Sequence, residues 1–227
     1  MKKVKATYEI LTPISEGGIE ELKHIERIGR VCYKSEDKIT EEGESAKKFV
    51  NMLIKAGHEA MIEHSTLSVM FTVDRGVSHE LVRHRIASFA QESTRYCNYA
   101  KDKFGAECAF IDIRDGIEYD SKMKKMTADQ LMYCIQEWED AMRDAEKHYM
   151  KMLQYGATPQ IARGVLPNSV KTNITLTANY REWRNFFKLR VPATAHPQMR
   201  EITIPLLKEL KEKLPVIFDD IEVPDNE

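Results

Sequence analysis

The sequence lacks the features that most readily announce a function. Its four cysteines, Cys32, Cys97, Cys108 and Cys134, stand far apart and form no CxxC pair. That spacing excludes a zinc ribbon, a thioredoxin motif and a disulfide framework, and it fits a reducing cytoplasm. No apolar run approaches the ~18 residues of a membrane span, and the basic opening MKKVKATYEILTP leads into no long apolar stretch. The expectation is a soluble, untargeted, cytoplasmic chain with no membrane contact. No GxGxxG follows a strand and no GxxxxGK precedes a Ser or Thr, so neither a Rossmann turn nor a P-loop is available for a nucleotide. Excess charge is absent too. With 34 Lys+Arg against 36 Asp+Glu the net charge is -2, and any anion has to be captured by a local cluster. There is no internal repeat, low-complexity linker or domain break, and 227 residues suffice for one substantial domain.

What is present reads as alternating strands and helices. Residues 4–11 alternate as a strand, and 19–33 carry apolar positions at helical spacing. In 44–56, Phe49, Met52, Leu53 and Ala56 mark one helical face, and Gly57 supplies a stop. Residues 66–74 and 170–179 alternate as strands. A helix is expected over 76–87, then extended chain or turn through SFAQESTRY. The longest helix, 127–155, opens on a Thr127/Gln130 capping box, and its stripe runs from Leu131 and Ile135 through Trp138, Met142 and Ala145 to Tyr149 and Met152. That stripe serves either a subunit interface or packing on its own domain. Thr158-Pro159 starts a short helix carrying Arg163. Helices over 181–190 and 197–214 follow, the latter kinked or restarted at Pro205. The tail from about residue 216 is expected to fray. The fold class is α+β, a central, mostly antiparallel sheet flanked by helices in a single domain.

The chemistry concentrates at Arg83-His84-Arg85, followed by Gln91, Ser93 and Arg95. If 91–95 runs extended, those last three side chains project to one side and make a polar wall. A phosphate wants arginines for forked, charge-assisted bonds and a hydroxyl for its remaining lone pairs. The competing reading is a solvated charged surface. Leu81, Val82 and Ile86 on the same helix put part of the basic triplet beside an apolar face, where a counter-charge is needed, and Glu80 supplies it in part.

Arg83-His84-Arg85, seven residues and then Ser93 resembles the RHR-x7-S signature of the flavin-dependent (alternative) thymidylate synthases. Thr94-Arg95-Tyr96, Arg163 in ARGVLP, Asn179-x-Arg181, Asn185, Arg190 in KLR, and His196 with Gln198 extend the resemblance over about 50–210. The resemblance implies an enzyme that methylates dUMP to dTMP with methylenetetrahydrofolate as carbon donor, FAD as cofactor and NADPH as reductant. It implies dUMP contacts at Glu80, Arg83, Gln91, Glu92, Ser93, Thr94, Arg95, Arg163 and Arg190, with Arg190 catalytic. It implies FAD contacts at Arg83, His84, Arg85, Gln91, Asn179, Arg181 and Asn185. His58-Glu59 and Glu63-His64 resemble the family's turn near the flavin, although Ala60 stands where many relatives offer a hydroxyl. Family membership further implies a homotetramer with shared active sites.

Other readings compete. HEAMIEH (58–64) has histidines six apart, which on a helix face different ways, so it does not make an HExxH zinc site and no metal is expected. A nucleic-acid module would stack bases on Phe89, Tyr96 and Tyr99, yet it predicts a wider basic field than this chain carries. Cys97 reads either as a nucleophile or as a small residue beside the site, and the resemblance favours the second.

Overall fold

The two alternating segments become neighbouring strands of one sheet. A computed structural model describes residues 1–100 and 105–224. In it β3 (Thr66–Asp74) and β6 (Lys171–Asn179) pair antiparallel along their full nine residues, from Thr66 opposite Asn179 to Asp74 opposite Lys171. With β2 (Thr7–Ile10) and β4 (Ala87–Gln91) they form a four-stranded antiparallel sheet of order β2-β3-β6-β4. A parallel pair, β1 (Lys2–Val4) with β5 (Ala109–Ile111), stands beside it. The expected single strand over 4–11 is thus two strands in two sheets. Local alternation is the same in both, and only the long-range partners separate them.

The helices are α1 (Ile19–Val31), α2 (Glu44–Lys55), α3 (Arg75–Leu81), α4 (Arg114–Ile117), α5 (Ala128–Gln154), α6 (Pro159–Ala162), α7 (Tyr180–Arg190), α8 (Pro197–Lys213) and α9 (Pro215–Phe218). One face of the sheet presents Leu67, Val69, Phe71, Val73, Ile174 and Leu176, all fully buried, to Trp183, Phe186 and Phe187 of α7 and Leu206, Leu207 and Leu210 of α8. Burial of each such side chain contributes about 1.5–3 kcal/mol. The Trp183 indole N–H is satisfied by the Leu67 carbonyl at 2.9 Å. On the opposite face hydroxyls and amides pair across strands, Ser68 with Thr177 at 2.7 Å and Thr72 with Asn173 at 3.0 Å. A second apolar cluster, including Tyr99, Phe110, Met142, Tyr149 and Val170, holds α5.

The Thr127/Gln130 capping box is formed, and α8 runs unbroken through Pro205. Gly18 precedes α1 at φ +67°, where a Cβ would collide with the Leu214 side chain, so this entry turn requires glycine. Two expectations are corrected. The helix drawn over 76–87 ends at Leu81, because Ala87–Gln91 is claimed by pairing with β6. Val82 and Ile86 are exposed, as are Arg83 and Arg85, and the triplet lies past the helix end; within it His84 is buried. The tail expected to fray is packed through Ile221: Ile217 and Phe218 are fully buried, and buried Arg184 holds Asp220 through two bonds of 2.6 and 2.7 Å. The final residues 225–227 lie outside the described residues.

Against α4, the α8 carboxylate Glu201 faces Asp74, Asp112 and Asp115, with Lys5 as the opposing cation. Its Oε2 is buried without a hydrogen-bond partner among the described residues. Burial, then the three neighbouring carboxylates, push its pKa up to about 8. The folded protein therefore keeps a proton that the unfolded chain releases above its ordinary value near 4.5. This contribution to stability is complete below pH ~4.5 and is lost as pH rises towards ~8. Glu201→Gln should flatten that loss and raise Tm at pH 8 by roughly 2–4 °C, the shift that about 1 kcal/mol produces in a domain of this size. Equal Tm for both proteins across pH 5–8 in calorimetry would refute the assignment.

Candidate functional site

Helix α7 carries most of the groups that converge, and its own sequence explains why. Asn179 caps it by accepting the Glu182 N–H at 2.8 Å, which fixes the register of everything downstream. Trp183, Phe186 and Phe187 then face the core, leaving Arg181 and Asn185 one turn apart along the rim. At its last residue Arg190 turns back onto the segment after α3. Its Nε donates to His84 Nε2 at 3.0 Å, Nη1 to the Glu80 carboxylate at 2.9 Å, and Nη2 to the Glu80 carbonyl at 3.2 Å. On its other side, His84 Nδ1 lies 2.9 Å from Glu182 Oε1, and that carboxylate also accepts from Asn185 Nδ2 at 3.3 Å.

Glu80, His84, Asn185 and Arg190 are thus brought together, with Glu182 joining them. Sequence reasoning missed Glu182. An acid in the first turn of a helix reads by itself as a capping or dipole partner, so nothing local singles it out. His84 is only 5% exposed, its ring edge-on to Phe186 with centroids 4.9 Å apart. Burial lowers its pKa from the ordinary 6.5; the bond to Glu182 opposes this and the Arg190 charge reinforces it.

Asn179, Arg181 and Asn185 line one open cleft of about 470 Å³ with Glu59, Glu63, Ile86, Glu182 and Lys188. Arg181 pairs with Glu63 at 2.6 Å, while Glu59 reaches both Arg181 (3.9 Å) and buried Arg184 (3.1 Å). Three of the expected flavin residues therefore share a surface, and Glu59 and Glu63 of the turn after α2 complete it. Arg83 and Arg85 are exposed and form no ion pair among the described residues.

The residues from 91 onward do not build the expected wall. Strand β4 ends at Gln91, and the chain turns at once: Ser93 Oγ accepts the Arg95 N–H at 3.3 Å, and the Tyr96 and Cys97 N–H groups return to the Ser93 carbonyl. Gln91, Ser93 and Arg95 consequently go three ways. The Gln91 amide braces Ser78 at 2.9 Å and Thr172 at 3.3 Å inside the protein. Arg95 is exposed, its guanidinium 5.3 Å from the Tyr96 ring. Glu92 binds Lys171 at 2.9 Å and accepts from the Tyr99 hydroxyl at 3.3 Å. The Ser93 hydroxyl accepts from the backbone two residues on, a local contact that favours a turn over an extended segment.

A second hollow, about 280 Å³, takes Thr94 and Arg163, which are joined by a 3.0 Å bond from Nη1 to the hydroxyl. Arg75 and His79 also line it, and Arg75 Nη1 is buried without a hydrogen-bond partner among the described residues. Neither was singled out from sequence, because both lie in a helix whose charges look solvated. Cys97 lines a different hollow, with Gln91, Glu92, Lys171 and Asn173. Among the described residues no three His, Cys, Asp or Glu side chains are grouped to hold a metal, and no helix is long and apolar enough to cross a membrane.

With the geometry established, comparison with known proteins is informative. A family profile described as thymidylate synthase complementing protein matches residues 19–216. A Corynebacterium aurimucosum protein named flavin-dependent thymidylate synthase is 34% identical over 215 residues, covering 92% of this chain and 84% of the relative. One of the same name from Mycolicibacterium vanbaalenii is 30% identical over 200 residues, covering 88% and 79%. The fold matches the crystal structure of the UMP/dUMP methylase PolB from Streptomyces cacaoi bound with 5-Br dUMP, with a TM-score of 0.76, 23% identity and 96% of each chain covered.

If the Thr94/Arg163 hollow holds a nucleotide phosphate, Arg163→Ala removes a charge-assisted bond of about 1.5–3 kcal/mol. Isothermal titration should then show dUMP affinity falling roughly 10- to 100-fold with flavin retention unchanged. Unaltered dUMP affinity with flavin lost would show that the two hollows are assigned the wrong way round.

Proposed function

The chain belongs to the thymidylate synthase complementing protein family, and on that premise we propose that it is a flavin-dependent thymidylate synthase. It converts dUMP to dTMP, taking the carbon from methylenetetrahydrofolate. The observation that carries this reading is Arg190, held at three of its nitrogens by His84 and Glu80 and joined through Glu182 to the Asn179/Arg181/Asn185 cleft.

The residues present fit a flavin dinucleotide. The cleft offers the amides of Asn179 and Asn185 and the cations Arg181 and Lys188, and the exposed Arg83 and Arg85 stand on the adjoining segment. Such groups hold a pyrophosphate without a glycine-rich turn. FAD when bound would supply the reducing equivalents, with NADPH restoring them. The protein's own contribution is positional and electrostatic. Arg190 keeps one N–H free on each of Nη1 and Nη2 after its bonds to His84 and Glu80. Placed at the uracil N3/O4 edge, they stabilise the negative charge that develops as the ring is activated. Ser93, Thr94, Arg95 and Arg163 take the phosphate, and Glu80, Arg83, Gln91 and Glu92 complete the dUMP set. Cys97 lines a hollow with Gln91 and Glu92 but with neither Arg190 nor Arg163, and in this reading the reaction proceeds without cysteine attack.

A homotetramer with shared sites belongs to the same reading. In one chain the flavin residues and the phosphate residues line separate hollows, and a neighbouring subunit would bring complementary halves together. The exposed Met132 and Tyr133 of α5 offer apolar surface for it. A cytoplasmic location accords with a biosynthetic role.

Purified protein should be yellow and should bleach anaerobically when NADPH is added. Arg190→Ala should retain the flavin and lose about 100-fold in kcat, corresponding to ~3 kcal/mol of transition-state stabilisation. A colourless protein that forms no dTMP when FAD is supplied would sink the function. Full turnover by Arg190→Ala would remove Arg190 from the chemistry.

A further inference from the structure

Three side chains form a continuous chain that neither the sequence motif nor the family comparison explains: Glu182, His84 and Arg190. We propose that Glu182 is a positioning residue for Arg190, acting through His84. By accepting the Nδ1 proton of the imidazole it leaves Nε2 bare, and that bare nitrogen holds the guanidinium in place. The inference rests on the functional reading above, in which Arg190 touches the uracil.

The proton positions follow from donor and acceptor inventory. A guanidinium has five N–H donors and no acceptor, so the 3.0 Å contact between Arg190 Nε and His84 Nε2 requires an unprotonated Nε2. A neutral imidazole with a bare Nε2 carries its proton on Nδ1. That proton points at Glu182 Oε1, 2.9 Å away. The opposite tautomer, or the imidazolium, would set an N–H against an N–H at Arg190.

The site is built to hold this state. His84 is 5% exposed and Glu182 8%, so water does not satisfy either group. Glu182 is anchored twice more, by its backbone N–H on Asn179 and by Asn185 Nδ2 on its carboxylate. The imidazole lies along one side of α7, edge-on to Phe186 between the two polar ends. The charged groups that face it are Glu182 and Arg190 from α7, with Glu80 of α3 beyond Arg190. Burial and Arg190 both disfavour the imidazolium, and Glu182 supplies orientation more than charge.

Nitrogen-15 NMR of the His84 ring in the flavin-bound enzyme tests the chain directly, with the signal assigned by its absence in His84→Gln. The wild-type ring should show a protonated Nδ1 and a bare Nε2 at pH 7. Glu182→Ala should let the ring adopt the Nε2–H form and should lower kcat at least about 10-fold, within the cost of misplacing a positioned group. Glu182→Gln, whose amide oxygen still accepts the Nδ1 proton, should restore the tautomer and most of kcat. A wild-type ring protonated at Nε2 overturns the proposal without any variant, as does Glu182→Ala with native tautomer and kcat. The two readings fail separately: a bare Nε2 in a protein that makes no dTMP sinks the function and leaves the chain of bonds standing.

Discussion

The bond from Arg190 to His84 ties the end of α7 to the segment between α3 and β4, and the arrangement of the site depends on it. Those two segments are separated by about a hundred residues of chain, and neither holds the other by backbone pairing alone. Through that bond Glu80, Glu182 and Asn185 enter one network, so that a helix cap at Asn179 and a guanidinium about three turns later share a fixed frame. Buried polar groups of this kind are costly unless every member is satisfied. Here both imidazole nitrogens are, and the aromatic wall of Phe186 keeps water from competing.

Around this frame the charges divide into two populations. One is paired around buried Arg184: Glu59 contacts Arg184 and Arg181, Arg184 contacts Asp220, and Glu63 contacts Arg181. This network fastens the C-terminal segment to the floor of the cleft and explains why a polar tail is packed instead of frayed. The other has no ion pair among the described residues: Arg83, Arg85 and Arg95 stand exposed, and Arg75 keeps a buried nitrogen without an acceptor there. With a net charge of -2 overall, capture of an anion would rest on such local cations. The weak global charge and the strong local one are therefore compatible.

Much of the fold could be read from residue order. The nine-residue alternations of β3 and β6, the capped and striped α5, and the pairing of Arg181 with Asn185 on one rim all follow from periodicity and capping chemistry, which are local. The motif from Arg83 to Arg95 was visible as a concentration of phosphate-seeking groups. Its shape was not. Whether 82–87 continued a helix depended on β6 being available to pair with Ala87–Gln91, and whether 91–95 ran straight depended on Ser93 closing a turn.

By itself the sequence determined the element types, the residue chemistry at the site and the family signature, because each depends on neighbours a few positions away. Tertiary structure alone decided which of those residues meet. Glu182 became the hub of the site because packing of α7 on the sheet brings it to His84 from 98 positions away. Likewise, Thr94 met Arg163 rather than Ser93 and Arg95, and two strands separated by two residues joined different sheets. Contacts across such separations are selected by burial and by satisfaction of buried polar groups, quantities that exist only once the chain has closed on itself.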